Sequence, residues 1–317
     1  MDALCTDPWT AAMRRGDFAA AWRVSDAVLA RRVAERVDCF AWPRHLQFLW
    51  DGRAPDHRRV LVHCYHGLGD TLQFVRLLPR LRERAREVVL WAQPALLGLL
   101  DGVAGADRVL PLHDGAPDVE RDLDLELMEL PHLLRLELAD VPREAPYLRV
   151  ARACRRRDAA AVPRVGLAWR AGDWDASRSV PDAALAPLAA LRGVRWVSLQ
   201  YPPATPPLPA VDAACRDLAE LARRMLELDL VISVDTMTAH LAGALGVPVW
   251  TLLAEPCDWR WMERRADSPW YPTMRLLRQP RPGDWDGLVA QLADALAAWL
   301  AEYAHAVPGA RPERVAR

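Results

Sequence analysis

The 317-residue chain contains no lysine and no asparagine, so all 41 of its Lys+Arg positions are arginine. These two absences exclude a Schiff-base lysine, a G-K-[ST] phosphate loop and an N-glycosylation sequon. Phosphate charge must therefore meet arginine, hydroxyls or backbone N–H groups. No apolar run approaches the roughly 18 residues a membrane span needs. The start, MDALCTDPWTAAMRRGDF, lacks the charged-then-apolar plan of a secretory signal. The expectation is a cytoplasmic protein with no transmembrane segment, which leaves room only for peripheral membrane contact. The six cysteines (Cys5, Cys39, Cys64, Cys154, Cys215, Cys257) form no C-x-x-C pair, which argues against a disulfide framework and a cysteine zinc site. A net charge of −1 provides no electrostatic footprint for nucleic acid. What is present, 52% hydrophobic residues, suffices for two domains with proper cores.

The most informative stretch is Val231 to Trp250, VISVDTMTAHLAGALGVPVW. A short β-branched run reads as a buried strand, and the Ser/Thr/Asp cluster after it supplies capping oxygens for a helix. Met237, Leu241, Ala244 and Leu245 recur at helical spacing, which predicts one stripe on a sheet. Gly246 stops the helix and Pro248 opens the next strand. Backbone N–H groups at Thr236, Met237 and Thr238, with the helix dipole behind them, make an anion site whose usual occupant is phosphate. His240, one turn on, leans toward such a ligand or is a satisfied structural histidine.

Residues 1 to about 38 read as two short amphipathic helices around a Gly-Asp turn, like one tetratricopeptide-type pair. A lone pair cannot bury its own face, so it is expected to pack on the neighbouring domain. From Arg59, strands and helices alternate: RVLVHCY, a helix over Asp70 to Arg84, EVVLWA, a short helix over Pro94 to Leu100, DRVLPL and DLDLELMEL. A proline-bracketed basic crossing follows at 141–162. A second series then begins with PRVGLAW, a helix over Val180 to Leu191, VRWVSLQ, a proline-rich surface loop from Tyr201 to Val211, a helix over Leu218 to Glu227 and LDLVISV. A long helix over Gly283 to Tyr303 and a disordered tail close the chain. This punctuation predicts an α/β protein with two Rossmann-like domains, 46–155 and 156–306, facing across a central cleft behind a helical segment at 1–45. In the first domain the ligand-facing turn is Tyr65-His66-Gly67-Leu68-Gly69-Asp70, where Gly67 and Gly69 permit a tight turn and Asp70 caps the next helix or enters the cleft.

Taken together and in order, HGLGDTLQFVRLLPRL, GLAWRAG with RS at 178–179, SVDTMTAHLAGALGVPVW and DWRWMERRADSPWYPTMRLLRQPRPGDW resemble the family-nine glycosyltransferases. The resemblance includes the heptosyltransferase-like kind found C-terminal to tetratricopeptide repeats, and it covers about residues 45 to 300. It implies a GT-B fold and transfer of a sugar, with inversion, from a nucleotide-diphosphate donor, ADP-heptose foremost, to a hydroxyl of a glycan, lipid-linked or protein acceptor. No cofactor or metal is implied. Carried across, the family's general base falls on Asp70, with His66, Gly67 and Gly69 in the acceptor-side loop. The diphosphate-neutralising lysine falls near Arg178, beside Arg170 and Ser179, and D-T-x-x-x-H falls on Asp235, Thr236 and His240. Gln200 is placed near the nucleoside. Asp122-Leu-Asp124 and Asp173-Trp-Asp175 imitate a metal-binding D-x-D but read as strand alternation and an incomplete loop set. Trp259, Trp261 and Trp270 are candidates for sugar stacking at the cleft. The alternative to an enzyme is a nucleotide-sugar-binding or scaffold protein that has kept the fold and lost turnover.

Overall fold

The computed structural model describes residues 7–150, 162–172, 175–201, 204–212, 215 and 217–306. Cys5, Cys154, the basic stretch Arg155 to Arg157, Asp173 with Trp174, and the tail after Ala306 lie outside the described residues. The chain divides into two compact units, Met1–Arg149 with Cys257–Pro272, and Val150–Pro256 with Thr273–Arg317. The boundaries expected from sequence made no provision for the return of 257–272 to the first unit.

The first unit contains α1 (Pro8–Arg15), α2 (Phe18–Glu35), β1 (Arg59–His63), α3 (Leu68–Phe74), α4 (Leu78–Arg82), β2 (Glu87–Ala92), α5 (Leu97–Leu100), β3 (Arg108–Pro111), β4 (Leu123–Glu126) and α6 (Leu130–Leu133). Its four strands are parallel in the order β3-β2-β1-β4. Val60, Leu61, Val62, Val88, Val89 and Leu90 are all buried, as expected for central strands covered on both faces. Where the chain approaches α4, Gly105 adopts φ +85°, and a Cβ there would lie 2.3 Å from Leu78 backbone.

The helical pair expected at the front forms and packs on this unit. Asp7 accepts from the Trp9 and Thr10 N–H groups to cap α1, Gly16 closes it at φ 77°, and Asp17 caps α2. Ala12, Met13, Phe18, Ala21 and Trp22 are buried, and the Trp22 indole donates to the Leu136 carbonyl at 2.7 Å. Aromatic contacts draw 257–272 into the same core. Trp9 meets Trp259 edge-on at 5.2 Å, Phe18 stacks on Trp270 at 6.2 Å, and Phe74 of α3 contacts both tryptophans. Trp261 and Trp270 are fully buried in this packing, so they do not offer the sugar-stacking faces expected of them.

The second unit contains β5 (Arg164–Ala168), α7 (Ala186–Ala189), β6 (Arg195–Ser198), β7 (Val211–Asp212), α8 (Leu218–Met225), β8 (Leu230–Val234), α9 (Met237–Ala244), β9 (Val249–Leu253), β10 (Met274–Arg278) and α10 (Trp285–Ala306). Its six strands are parallel in the order β10-β9-β8-β5-β6-β7. Leu288, Leu292 and Leu296 of α10 pack into a core with Val165, Ile232 and Leu252.

Several boundaries differ from those expected, and proline accounts for most of them. The helix expected over 70–84 begins at Leu68 and tightens to a 3₁₀ turn at Val75–Leu77. Pro79 has no N–H with which to continue it. The acidic strand DLDLELMEL ends at Glu126, whose carboxylate caps a turn leading into α6 around Pro131. The helix expected over 180–191 is a 3₁₀ turn at Asp182–Leu185 followed by α7, each begun by a proline. In place of one stripe, α9 is buried from Thr238 to Ala244, because small residues let it sit in the core on every side. The proline-rich loop ends in the two-residue strand β7, and β10 was not foreseen.

Candidate functional site

Each sheet has one point at which strand order reverses. In the first unit it lies between β1 and β4, and in the second between β5 and β8. Loops leaving the carboxyl ends of neighbouring strands diverge there and open a crevice, which is where ligands bind in sheets of this kind. The candidate residues collect at these two points.

In the first unit β1 ends at His63, and the chain turns through Cys64 to Gly67 into α3. Asp70 is the third residue of α3, so it is not itself the N-cap residue, which is Gly67, but helps to cap the helix from the capping-box position. Its Oδ2 accepts the Gly67 N–H at 2.9 Å, and its Oδ1 accepts from Arg260 Nη2 at 2.7 Å. Gly67 has φ −67°, so positive-φ freedom does not explain it, whereas space does: a Cβ would sit 3.1 Å from Asp70 Oδ2. Gly69 lies inside α3, half-buried, and makes no turn of its own. His66 Nδ1 is 2.9 Å from Glu126 Oε1, which bridges the loops at the switch point. Burial works against the His66 imidazolium, but the hydrogen bond and charge of Glu126, with the charge of Asp70, outweigh it and raise its pKa. The Gln93 amide donates to the His66 carbonyl and accepts from Thr71, fixing the turn from β2. Burial pushes the Cys64 thiol far above its ordinary range.

Arg260 lies in the tryptophan-rich DWRW stretch, where the sequence singled out the tryptophans and not the arginine. It sits in a 3₁₀ turn, Trp259–Trp261, capped by Asp258, and its carbonyl accepts from the Trp270 indole at 2.9 Å. The Arg260 and Asp70 side chains are 11% and 19% exposed, so this is a largely desolvated pair with good geometry. Close by, a cavity of ≈ 390 Å³ is walled by Trp22, Phe48, Trp50, Trp259 and Phe74, with Glu129 at its edge. Glu129 Oε2 accepts from the Leu49, Trp50 and Glu126 N–H groups, and Arg32 lies 3.6 Å from its Oε1. Burial dominates, raising the Glu129 carboxyl from 4.5 to about 7.

The Asp122 and Asp124 carboxylates are engaged separately. Asp122 pairs with Arg59 at 2.9 Å, and Asp124 takes His63 Nε2 at 2.7 Å and Arg121 at 2.8 Å. Asp175 caps Ser177. Among the described residues, no cluster of three His, Cys, Asp or Glu side chains could hold a metal ion.

In the second unit β8 delivers Asp235, 4% exposed, and Thr236 caps α9 in an extended conformation without a side-chain bond to the helix N–H groups. Ser233 Oγ lies 3.3 Å from Thr236 Oγ1. The Met237 and Thr238 N–H groups fall in the first turn, where helix geometry leaves donors without an intrahelical acceptor. Arg178, at the end of the 3₁₀ turn Ala176–Arg178, donates to the Asp235 carbonyl at 3.1 Å and so stands over this turn. His240 is 2% exposed with Nε2 3.9 Å from Asp235 Oδ1, held inside the unit. On the adjoining β5 loop, Gln200 Oε1 accepts from the Trp169 and Arg170 N–H groups, while its amide donates to the Arg170 carbonyl. Gln200 thus clasps that loop with both ends of its side chain. Ser179 Oγ accepts the Ala171 N–H at 2.9 Å, and Arg170 pairs with Asp182 at 2.6 Å. The fold therefore gathers Arg178, Asp235, Thr236, Met237, Thr238 and His240 at one turn, and it gives Gln200 and Ser179 the task of shaping the next.

Three solved structures share this architecture. ADP-heptose lipopolysaccharide heptosyltransferase II of E. coli matches 77% of this chain and 99% of its own at 14% identity, with a TM-score of 0.52. The iron-containing dodecameric glycosyltransferase TibC of enterotoxigenic E. coli matches 80% of this chain and 78% of its own at 15% identity, also with a TM-score of 0.52. A family-nine glycosyl transferase of Veillonella parvula matches 78% and 99% at 12% identity, with a TM-score of 0.50. The fold is that of the GT-B glycosyltransferases. Among curated proteins, FlbA of Caulobacter vibrioides is 28% identical over 151 residues, covering 42% of this chain and only 25% of FlbA. No protein-family model matches the chain. No helix among the described residues is long and apolar enough to cross a membrane.

Proposed function

We propose that the chain is an inverting glycosyltransferase that moves a heptose-like sugar from an ADP-linked donor to an acceptor hydroxyl. The observation that supports this most is the division of chemistry between the two switch points: a positioned carboxylate in the first unit, and an arginine-topped helix N-terminus in the second. On this reading the first unit serves the acceptor. Asp70 takes the proton from its hydroxyl as that oxygen attacks the anomeric carbon, and the carbon–oxygen bond to the diphosphate breaks on the opposite face. The second unit serves the donor. The Met237 and Thr238 N–H groups, the α9 dipole and Arg178 stabilise the charge that develops on the departing diphosphate, and buried His240 steadies Asp235 behind them. Arginine replaces a point charge with a planar fork suited to two phosphate oxygens. The ADP-heptose choice rests on the name of the E. coli heptosyltransferase. The α1–α2 pair corresponds on this reading to tetratricopeptide-type helices, and the site of action is the cytoplasm.

A second reading, a nucleotide-sugar-binding or scaffold protein without turnover, draws support from the Asp70–Arg260 ion pair, which already engages one carboxylate oxygen. One pair of experiments separates them. Thermal shift against ADP, GDP, UDP and their sugars reports binding, since a ligand at about 100 times its Kd adds roughly 2.7 kcal/mol. Transfer from ADP-heptose to lipid-linked glycan, free glycan or protein fractions is then compared for wild type and Asp70→Ala, with a loss of about 10²–10⁴-fold expected. Binding without turnover in the wild type would favour the second reading, and no shift with any nucleotide would remove both.

A further inference from the structure

We infer that Arg260 is the positioning residue for Asp70, and that the α1–α2 hairpin is the brace that holds Arg260 in place. The inference rests on the proposed role of Asp70 as base. A carboxylate at the third position of a helix can swing about χ1 and χ2, and the Gly67 N–H restrains only Oδ2. The Arg260 guanidinium fixes Oδ1 at 2.7 Å and thereby sets the plane of the carboxylate, leaving each oxygen a lone pair for an acceptor hydroxyl.

Arg260 is itself held on several sides. Asp258 Oδ1 accepts its backbone N–H at 3.0 Å and lies 3.2 Å from its Nε. Trp270 bonds its carbonyl, and its guanidinium lies 5.4 Å from the Trp259 ring centroid. The hairpin grips the same segment from the other side: Arg14 donates to the Cys257 carbonyl at 2.8 Å, its own carbonyl accepts the Glu263 N–H at 3.0 Å, and Trp9 abuts Trp259. A continuous set of contacts thus runs from α1 through 257–263 to Asp70, all within the first unit. Charged groups facing Asp70 include Arg260 from this segment and His66 from the β1 loop, with Asp258 behind the first and Glu126 behind the second.

The test compares wild type with Arg260→Gln, Arg260→Lys and Arg14→Ala, with CD and tryptophan emission confirming the fold. Arg260→Gln is expected to lower kcat roughly 10²-fold, because a misplaced reacting group costs about that much. The KM for donor should stay unchanged, while the acid limb of kcat/KM moves to higher pH as the opposite charge is lost. Arg260→Lys should keep the limb near its wild-type place, and Arg14→Ala should lower kcat several-fold with the limb unmoved. An unaltered kcat and limb in Arg260→Gln, with Asp70→Ala inactive, would overturn the inference. Full activity in Asp70→Ala would instead overturn the role of Asp70 as base. ¹³C NMR titration of the Asp70 carboxyl decides independently of turnover: its midpoint must rise in Arg260→Gln, and an unmoved midpoint refutes the coupling.

Discussion

Glu129 provides the sharpest quantitative test of the first unit. Its carboxyl has a pKa of about 7 in the folded chain against 4.5 for the unfolded reference, so the folded state holds its proton over a range where the unfolded state has released it. The sign is opposite to that of a salt-bridged carboxylate. The stability associated with this group is fully present below pH 4.5 and is lost as pH rises toward 7. At 1.36 kcal/mol per pH unit the whole interval corresponds to about 3 kcal/mol. Glu129→Gln removes the titration while keeping the side chain's shape and an oxygen for the Leu49, Trp50 and Glu126 N–H groups. Other groups in the chain also respond to pH, so the decisive quantity is the stability difference between variant and wild type at each pH. Urea unfolding followed by tryptophan emission, with Trp50 bonded to the carboxylate as reporter, should show that difference moving in favour of the variant by about 2–3 kcal/mol between pH 5 and pH 8. A difference independent of pH would refute the reasoning. It would mean that the three N–H donors and Arg32, not burial, govern the charge of this residue.

Arg76 is 7% exposed and donates to the Gln73, Pro142 and Trp270 carbonyls and to the Tyr147 hydroxyl, with the Tyr147 and Tyr271 rings 4.3 and 4.4 Å from its guanidinium. Arg76→Met should cost about 3 kcal/mol or more in urea unfolding, because several buried acceptors lose their donor; a loss below 1 kcal/mol would refute this. Gly166 lies in β5, where a Cβ would come within 2.4 Å of Leu199 Cδ1 and 2.6 Å of Leu228 Cδ1. Gly166→Ala should therefore destabilise the second unit by about 1–3 kcal/mol in thermal unfolding, with the leucine ends yielding part of the space, and a neutral substitution would contradict this packing.

The second site was more legible in the sequence than the first, and the reason is physical. The β8-to-α9 turn depends on neighbours in the chain: a β-branched strand, an extended Thr236 as cap, and Gly246 at φ 71° ending the helix. Local chemistry of that kind can be read from twenty consecutive residues. The central strands β1, β2, β5, β8 and β9 were legible for the same reason, since each is a mostly buried apolar run, whereas the edge strands β7 and β10 were not foreseen and helix boundaries failed wherever a proline substituted 3₁₀ turns for α-helix. The resemblance pointed to Asp70, but what controls Asp70 is 190 residues away. Arg260 lies in the tryptophan-rich stretch that carries part of the resemblance, yet nothing there marks its role, because its position depends on aromatic packing among α1, α2, α3 and a segment that rejoins the first unit after the chain has built most of the second. Glu129 was missed for a related reason. Its altered carboxyl follows from burial beneath Trp50 and α2, and burial at the junction of three separate stretches of chain has no linear signature. Groups whose chemistry is set by tertiary desolvation are thus the ones a sequence conceals, and in this protein they lie beside the residue proposed as its base. A change in α1, far from Asp70 in the chain, is accordingly expected to act on turnover through Arg260.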